Sequence, residues 1–534
     1  MNAPALRICA APKTRKCHPE IQIGFPALPP PDSSARFDLL REWLRVCDED
    51  HPACSHYVST ADLPTRVVDI GEEATVDLRL HTFTPEEKEE TSRTDYIALS
   101  HCWGGLSDKQ KRKFCTTKEN IEERFEEGFD FGSLPSTFRD AITVTRKLGK
   151  RYLWIDALCI VQFDDDRENW RNEVTKMEAV FRNAYCTIAA TSAKDPTSGF
   201  LRRAPTERPD RQFIKLDSAS HGRIYVSSIA DNFHEDVDRA MLNQRAWVLQ
   251  ERALSRRTIH FAANQAYFEC GDSVRCETLT RLRSAKSPFL SDPYFPQSQG
   301  LLRSFDEVRL FQSLFERYSR LGIADMTDRP FAISGLEQRL AAAFETQCRH
   351  GVFERYLHRS LLWRRSEATR MNRIRFPDGE TVPSWSWMAY DGKIEYLKIG
   401  SEEVEWSDDL SLVDDTLHAP VRRFKHCATV RDEASNYRVM DIENNPTSGW
   451  LSLDGKRRFH AKQHKCIVVG RQDGSLPARG RATRPTLNEN WDLLILIVTP
   501  DRTDEGKMYK RVGVGCVPAD CVSLRGEPAD KVIV

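Results

Sequence analysis

Tyr152-Leu-Trp-Ile-Asp-Ala-Leu-Cys-Ile160 is a continuous apolar run interrupted only by Asp156. A strand covered on both faces reads this way, because neither face alternates toward water. Upstream, Tyr96-Ile-Ala-Leu-Ser100 is a second short apolar run, stopped by the turn His101-Cys-Trp-Gly-Gly105. Downstream, Tyr185-Cys-Thr-Ile-Ala-Ala190 is a third and ends at Thr191-Ser192. Helical stripes separate the three. Pro135 suits a first helical turn, Phe138, Ala141, Ile142, Thr145 and Leu148 share one face, and Gly149 is a stop signal. After the acidic loop Asp164–Asp166, residues Trp170, Val174, Met177 and Phe181 mark one further helix. This alternation predicts an α/β fold: an open, mostly parallel sheet with helices on both faces. Right-handed crossovers then place every strand's carboxyl end on one edge, where ligands bind. Ser100, His101, Asp156 through Cys159, Thr191 and Ser192 arrive there.

Further out, Arg36, Phe37, Leu39, Leu40, Trp43, Leu44 and Cys47 predict a helix over 36–47, followed by β-like runs at Arg66–Ile70 and Thr75–His81. Arg245–Ser255 reads as helical and leads to a hairpin-like pair around Ala262–Gln265. Helices are expected between 303 and 365, and Pro383-Ser-Trp-Ser-Trp-Met388 alternates as a half-buried strand does. The expected organisation is an N-terminal tail, helix and β-like segment (1–90), the α/β domain (91–256), a mixed helical and strand extension (257–400) and a β-rich domain (401–534).

Composition excludes several classes. With 534 residues, 40% of them hydrophobic and 29% charged, the chain has ample core material and room for about three domains. Its 78 Lys and Arg against 79 Asp and Glu give a net charge of −1, which argues against nucleic acid as a partner. Mean hydropathy is −0.54. The longest apolar run, Leu493–Val498, is far short of the ~20 residues of a membrane span. Met1–Pro31 lacks the apolar stretch of a secretory signal, and 15 scattered cysteines fit reduced thiols in the cytoplasm.

Four blocks then occur in order: Leu99-Ser-His-Cys-Trp-Gly104, Leu134-Pro-Ser-Thr-Phe-Arg-Asp-Ala141, Tyr152 to Ile160 with Gln162, and Arg245-Ala-Trp-Val-Leu-Gln-Glu251. Over residues 94–252 the chain closely resembles the heterokaryon incompatibility (HET) domain of filamentous fungi. Trp43-Leu-x-x-Cys47 with His51 and Cys54, Asp328-Arg329 with Ile333-Ser-Gly335, and Pro383-Ser-Trp-Ser-Trp387 are similar to flanking features of longer members. The resemblance implies non-self recognition and regulated cell death, a form of innate immunity, with an incompatibility partner protein or self-association as trigger. It also implies a distant kinship with flavodoxin-like TIR domains, some of which cleave NAD. NAD is then a substrate, and no cofactor is expected.

Two carboxylates are the catalytic candidates. Trp170-Arg-Asn-Glu173 resembles the Trp-x-x-Glu segment of NAD-cleaving TIR domains, and Glu173 lies roughly 70° from the centre of its helix stripe. It could stabilise an oxocarbenium-like transition state; its structural alternative is an exposed helix glutamate paired with Lys176. Asp156 sits in apolar sequence and needs a partner there. Ser100, His101, Trp103, Gly104, Gln162 and Ser192 are candidates for nucleotide binding, with Trp103 as core cap the alternative. Arg245, Trp247, Gln250 and Glu251 either support the site or lock their helix to the sheet. Cys102 and Cys159 beside His101 read as small core residues, not as nucleophiles. Cys47, His51, Cys54 and His56 have the residue types for zinc, but their spacing matches no standard finger or ribbon, and no metal is assigned. Two functions stand: an effector that cleaves NAD or a related nucleotide, and a non-catalytic module switched by a partner. In either case residues 90–256 are expected to suffice.

Overall fold

The computed structural model describes residues 6–12, 21–54, 63–71, 77–89, 94–164, 167–202, 213–218, 222–228, 231–282, 304–366, 371–377, 381–400, 404–425, 427–431, 436–440, 446–455, 458–473, 491–501, 508–524 and 529–533. The chain divides into two compact units, Met1–Ser298 and Gln299–Val534. Among the described residues, no helix is long and apolar enough to cross a membrane.

Beside a small sheet of Leu6–Ala10, Gly222–Ser228 and Phe213–Ser218, the described residues of the first unit form one ten-stranded sheet: β1 (Val67–Asp69), β2 (Asp77–His81), β3 (Tyr96–Ser100), β4 (Phe129–Asp130), β5 (Tyr152–Trp154), β6 (Cys186–Ala189), β7 (Arg257–Phe261), β8 (Ala266–Cys270), β9 (Val274–Cys276) and β10 (Arg281–Leu282). Their order across the sheet is β10-β9-β8-β7-β6-β3-β5-β1-β2-β4. Only the centre, β7-β6-β3-β5, is parallel. Antiparallel strands extend it on both sides, so the sheet is mixed and not mostly parallel. The connections at 262–265 and 271–273 are too short for a crossover, so β8 and β9 fold back as hairpins. The parallel β3, β5 and β6 are as continuously buried as their apolar sequences require.

The helices of this unit include α1 (Ser34–Asp50), α2 (Ser136–Lys147), α3 (Asp156–Cys159), α4 (Glu168–Val174), α5 (Met177–Asn183) and α6 (Ala246–Leu254). Ser33 caps α1 by accepting the Arg36 N–H. Phe37, Leu40, Trp43, Leu44 and Cys47 form the buried stripe of α1. Pro135 precedes α2, and Gly149, at φ +74°, ends its C-terminal turn. Two local expectations are corrected. The Tyr152–Ile160 run is strand only to Trp154, because Asp156 opens α3 and its carboxylate accepts the Ala157 N–H. The Trp170–Phe181 stripe is two helices, α4 and α5, separated at Thr175-Lys176.

The second unit is rich in strands. Thr416–Arg423, Lys465–Asp473, Trp491–Pro500, Met508–Pro518 and Ala529–Ile533 pair in a closed circuit. The strand Trp491–Pro500 is apolar without alternation because it serves two cores. Leu494, Leu496 and Val498 join one cluster, and Leu493, Ile495 and Ile497 join the other. Pro383–Met388 is not a strand. Ser386 accepts the Met388 N–H and donates to the His350 carbonyl, which folds the segment into a turn and a short 3-10 helix, Trp387–Ala389.

Candidate functional site

Because β3, β5 and β6 run parallel as neighbours, their carboxyl ends bring Ser100, the Ile155–Asp156 turn and Ser192 to one edge. Four side chains interlock there. Trp103 Nε1 donates to Asp156 Oδ2 at 2.7 Å, and His101 Nδ1 lies 3.6 Å from Asp156 Oδ1. The His101 ring stacks on Trp103, with centroids 6.0 Å apart, and meets the edge of Phe138 at 5.0 Å. Burial holds the imidazole below its usual range against the pull of Asp156, so it is neutral at pH 7. Its Nε2 is buried with no hydrogen-bond partner among the described residues. The Asp156 side chain keeps 26% of its exposure, so its carboxylate is the polar group of this set that solvent or a ligand can reach.

Helix α6 closes the edge from above. Arg245 donates to the His101 carbonyl, and the Ser100 hydroxyl donates to Glu251. Burial pushes the Glu251 carboxyl up to about 7, with the Ser100 hydrogen bond opposing the shift. The folded protein therefore holds this proton more tightly than the unfolded chain between pH 4.5 and about 7. Its contribution to stability is full below that window and falls as pH rises through it. Glu251→Gln removes the dependence. The variant is expected to gain on the wild type with rising pH, by up to about 3 kcal/mol, in denaturant titrations at pH 5 and pH 8. A constant difference across that range would refute the assignment.

The remaining candidates separate into those at this edge and those apart from it. Gln162 donates to the Asp156 and Ile160 carbonyls, closing the turn beneath Asp156. Gly104 has φ +61°, and a side chain there would overlap Asp195, so only glycine fits the turn. Ser192 joins β7 through its backbone N–H on the Phe261 carbonyl. Gln250 is buried, and Trp247 meets Trp170 edge to face at 6.4 Å, joining α6 to α4. Glu173 is apart. It is buried, accepts from Thr65 Oγ1 at 2.8 Å and pairs with Lys176 at 3.2 Å. Among the described residues, its hydrogen bonds and ion pair go to Thr65 and Lys176 and not to the Asp156 cluster. Burial raises Cys102 and pushes Cys159 up to about 12, which leaves neither as a thiolate.

Two positioning residues escape a reading of the sequence. Arg66 donates to the Cys159 carbonyl at 2.7 Å and to Asn169 Oδ1 at 3.0 Å, and Asn169 also accepts the Val161 N–H. They fix the loop that follows α3. Asn169 adjoins Trp170, the one signal that could have found it; Arg66, nearly a hundred residues before Cys159, carries none.

Residues 96–251 match the family model described as Heterokaryon incompatibility protein (HET). No curated protein and no solved structure matches the chain.

Proposed function

Since residues 96–251 are a HET domain, we propose that the chain acts in heterokaryon-incompatibility-type non-self recognition, and that its effector chemistry sits at the β3–β5–α6 edge. The reaction we assign is cleavage of the N-glycosidic bond of NAD or a related nucleotide. The supporting observation is the pair of carboxyl groups in unlike surroundings at that edge. Asp156 is partly exposed and tethered by Trp103, while Glu251 is buried on Ser100 and held near neutrality. Asp156 as carboxylate would stabilise the cationic sugar as the C1′–N bond breaks, its electron pair leaving on the base. Water then adds to C1′, and its proton passes to solvent by way of the partly exposed Asp156 carboxylate, or to the departing base where that base leaves as an anion. Trp103, with the Lys111 ammonium 5.8 Å from its ring, offers an aromatic and cationic surface to a nucleotide. The trigger would be a partner protein or a second copy, and the cytosol suits cysteines that are all unpaired among the described residues.

A second reading, a non-catalytic module, draws on Glu173. The residue expected to cleave NAD is engaged with Thr65 and Lys176. Expression of the full chain with Asp156→Asn, Glu251→Gln or Glu173→Gln in a fungal host separates these readings. The first two changes are expected to abolish both NAD loss and killing. Killing at constant NAD would support the non-catalytic reading, and loss of cleavage only in Glu173→Gln would move the site to α4.

A further inference from the structure

Cys47 and His51 are one helical turn apart at the end of α1, where the His51 N–H closes the helix on the Cys47 carbonyl. The 3-10 turn Pro52–Cys54 then folds back, with the Cys54 N–H on the His51 carbonyl at 2.8 Å. From the far side of the sequence, β8 ends at Cys270, and α1 lies against β8 with Trp43 and Phe268 6.1 Å apart. One ligand atom from each of Cys47, His51, Cys54 and Cys270 lies within 4.8 Å of all the others. The three cysteines are buried, and Cys270 Sγ is 3.5 Å from His51 Nδ1. The edges of a tetrahedron with zinc–sulfur bonds near 2.3 Å and a zinc–nitrogen bond near 2.1 Å measure about 3.5–3.8 Å. We propose that Cys47, His51, Cys54 and Cys270 form a structural zinc site that clamps the end of α1 to the end of β8.

The surroundings fit a metal centre. His51 Nε2 lies 3.2 Å from Asp272 Oδ2, which leaves Nδ1 for the ion and orients the ring as carboxylate-backed histidine ligands are oriented. Asp272 is held in turn by Arg281. The backbone N–H groups of Asp272 and Ser273 point at the Cys270 sulfur, and that of Gly271 at Cys54. A turn whose amides converge on sulfur suits thiolates bound to a cation. Three thiolates and Zn²⁺ leave one net negative charge. Arg257 is buried beside Cys47 and pairs through Nη1 with Asp48, while its Nε and Nη2 have no hydrogen-bond partner among the described residues, so a guanidinium lies near that charge. The soft donor set of three sulfurs and one imidazole selects zinc over magnesium or calcium. An odd number of thiols with a carboxylate-backed imidazole is poor material for a disulfide. The fourth ligand is Cys270, 216 positions after Cys54, which is why spacing alone matches no standard pattern; His56 lies outside the described residues.

Full-length protein purified from zinc-supplemented cells is expected to contain one zinc per chain by elemental analysis, released on thiol modification. Cys54→Ser and Cys270→Ser are expected to bring the zinc content close to zero. His51→Cys, which keeps four donors, and His56→Ala are expected to retain the metal. If the serine variants fail to fold, cobalt exchanged into the wild type is expected to give the absorption of a tetrahedral, thiolate-rich site. Wild-type protein without zinc, an intact mass lighter by two hydrogens from a disulfide among these cysteines, or zinc loss in His56→Ala with retention in Cys270→Ser would overturn the proposal.

Discussion

Residues 90–256 expressed alone are expected to be recovered as aggregate, whereas residues 1–298 are expected to unfold in one cooperative transition. The local sequence pattern suggests that 90–256 suffices, but the sheet crosses both of those boundaries. On one side β5 pairs with β1, and on the other β6 pairs with β7. Cutting at 90 and 256 removes both neighbours and uncovers the centre of the sheet, where Val68, Leu153, Ile188 and Ile259 are fully buried. The cut also takes away one of the two carboxylates that hold a buried charge, leaving Asp238 at 2.8 Å. Arg252 on α6 makes two hydrogen bonds to Glu269 of β8, at 2.9 and 2.8 Å, and His260 shares that carboxylate at 2.8 Å. With Asp238 still in place, losing the Glu269 hydrogen bonds costs about 1–3 kcal/mol, a sizeable part of the ~5–15 kcal/mol that holds a domain together. Soluble yield and calorimetry of the two fragments decide the matter. A cooperative transition from 90–256 would show that the flanking strands are dispensable.

Asp454→Ala is expected to destabilise the second unit by about 3–5 kcal/mol, visible as a fall of about 10 °C in its melting temperature. Arg511 is fully buried, with Nε 3.2 Å from Asp454 Oδ2. It also donates to the Leu361 and Trp363 carbonyls and stacks 3.4 Å over the Trp363 ring. The alanine variant leaves this guanidinium without its counter-charge. The double change Asp454→Leu with Arg511→Met is expected to recover much of the loss, because an apolar pair has no desolvation cost. Denaturant titration of the single and double variants tests both parts. A single-variant cost below about 1 kcal/mol would show that the carbonyls alone satisfy Arg511.

Three strands of the parallel centre, β3, β5 and β6, are legible because they are apolar on both faces and each ends at a recognisable turn; the fourth, β7, carries Arg257, Thr258 and His260 and reads only as one arm of a hairpin. Of the centre's antiparallel extensions, β1 and β2 are legible as β-like runs and β8 as an arm of the hairpin-like pair, but β4, β9 and β10 are two or three residues long and too short to carry a period. Asp156 reads as a buried strand residue because periodicity cannot distinguish a strand from a helical turn in so short an apolar run. Pro383–Met388 misleads for a different reason: Ser386 bonds to backbone and overrides the alternation. At the site, local blocks locate Ser100, His101, Trp103 and Asp156. The pairing of Ser100 with Glu251 spans 151 residues, and nothing in either block announces it. The commitment of Glu173 to Thr65 is equally long-range, so a local motif could not reveal it.

The closed circuit of strands in the second unit has a kinetic consequence. Leu417–Val421 must find Ile533–Ala529, more than a hundred positions away, before the ring exists. Loop closure over that length is unfavourable until the new contacts form, and topologies dominated by such pairings fold in milliseconds to seconds where local helical ones take microseconds. The circuit should thus refold slowly and late. Once closed, it has no free end from which to fray, so its amides should exchange with solvent among the last in the unit.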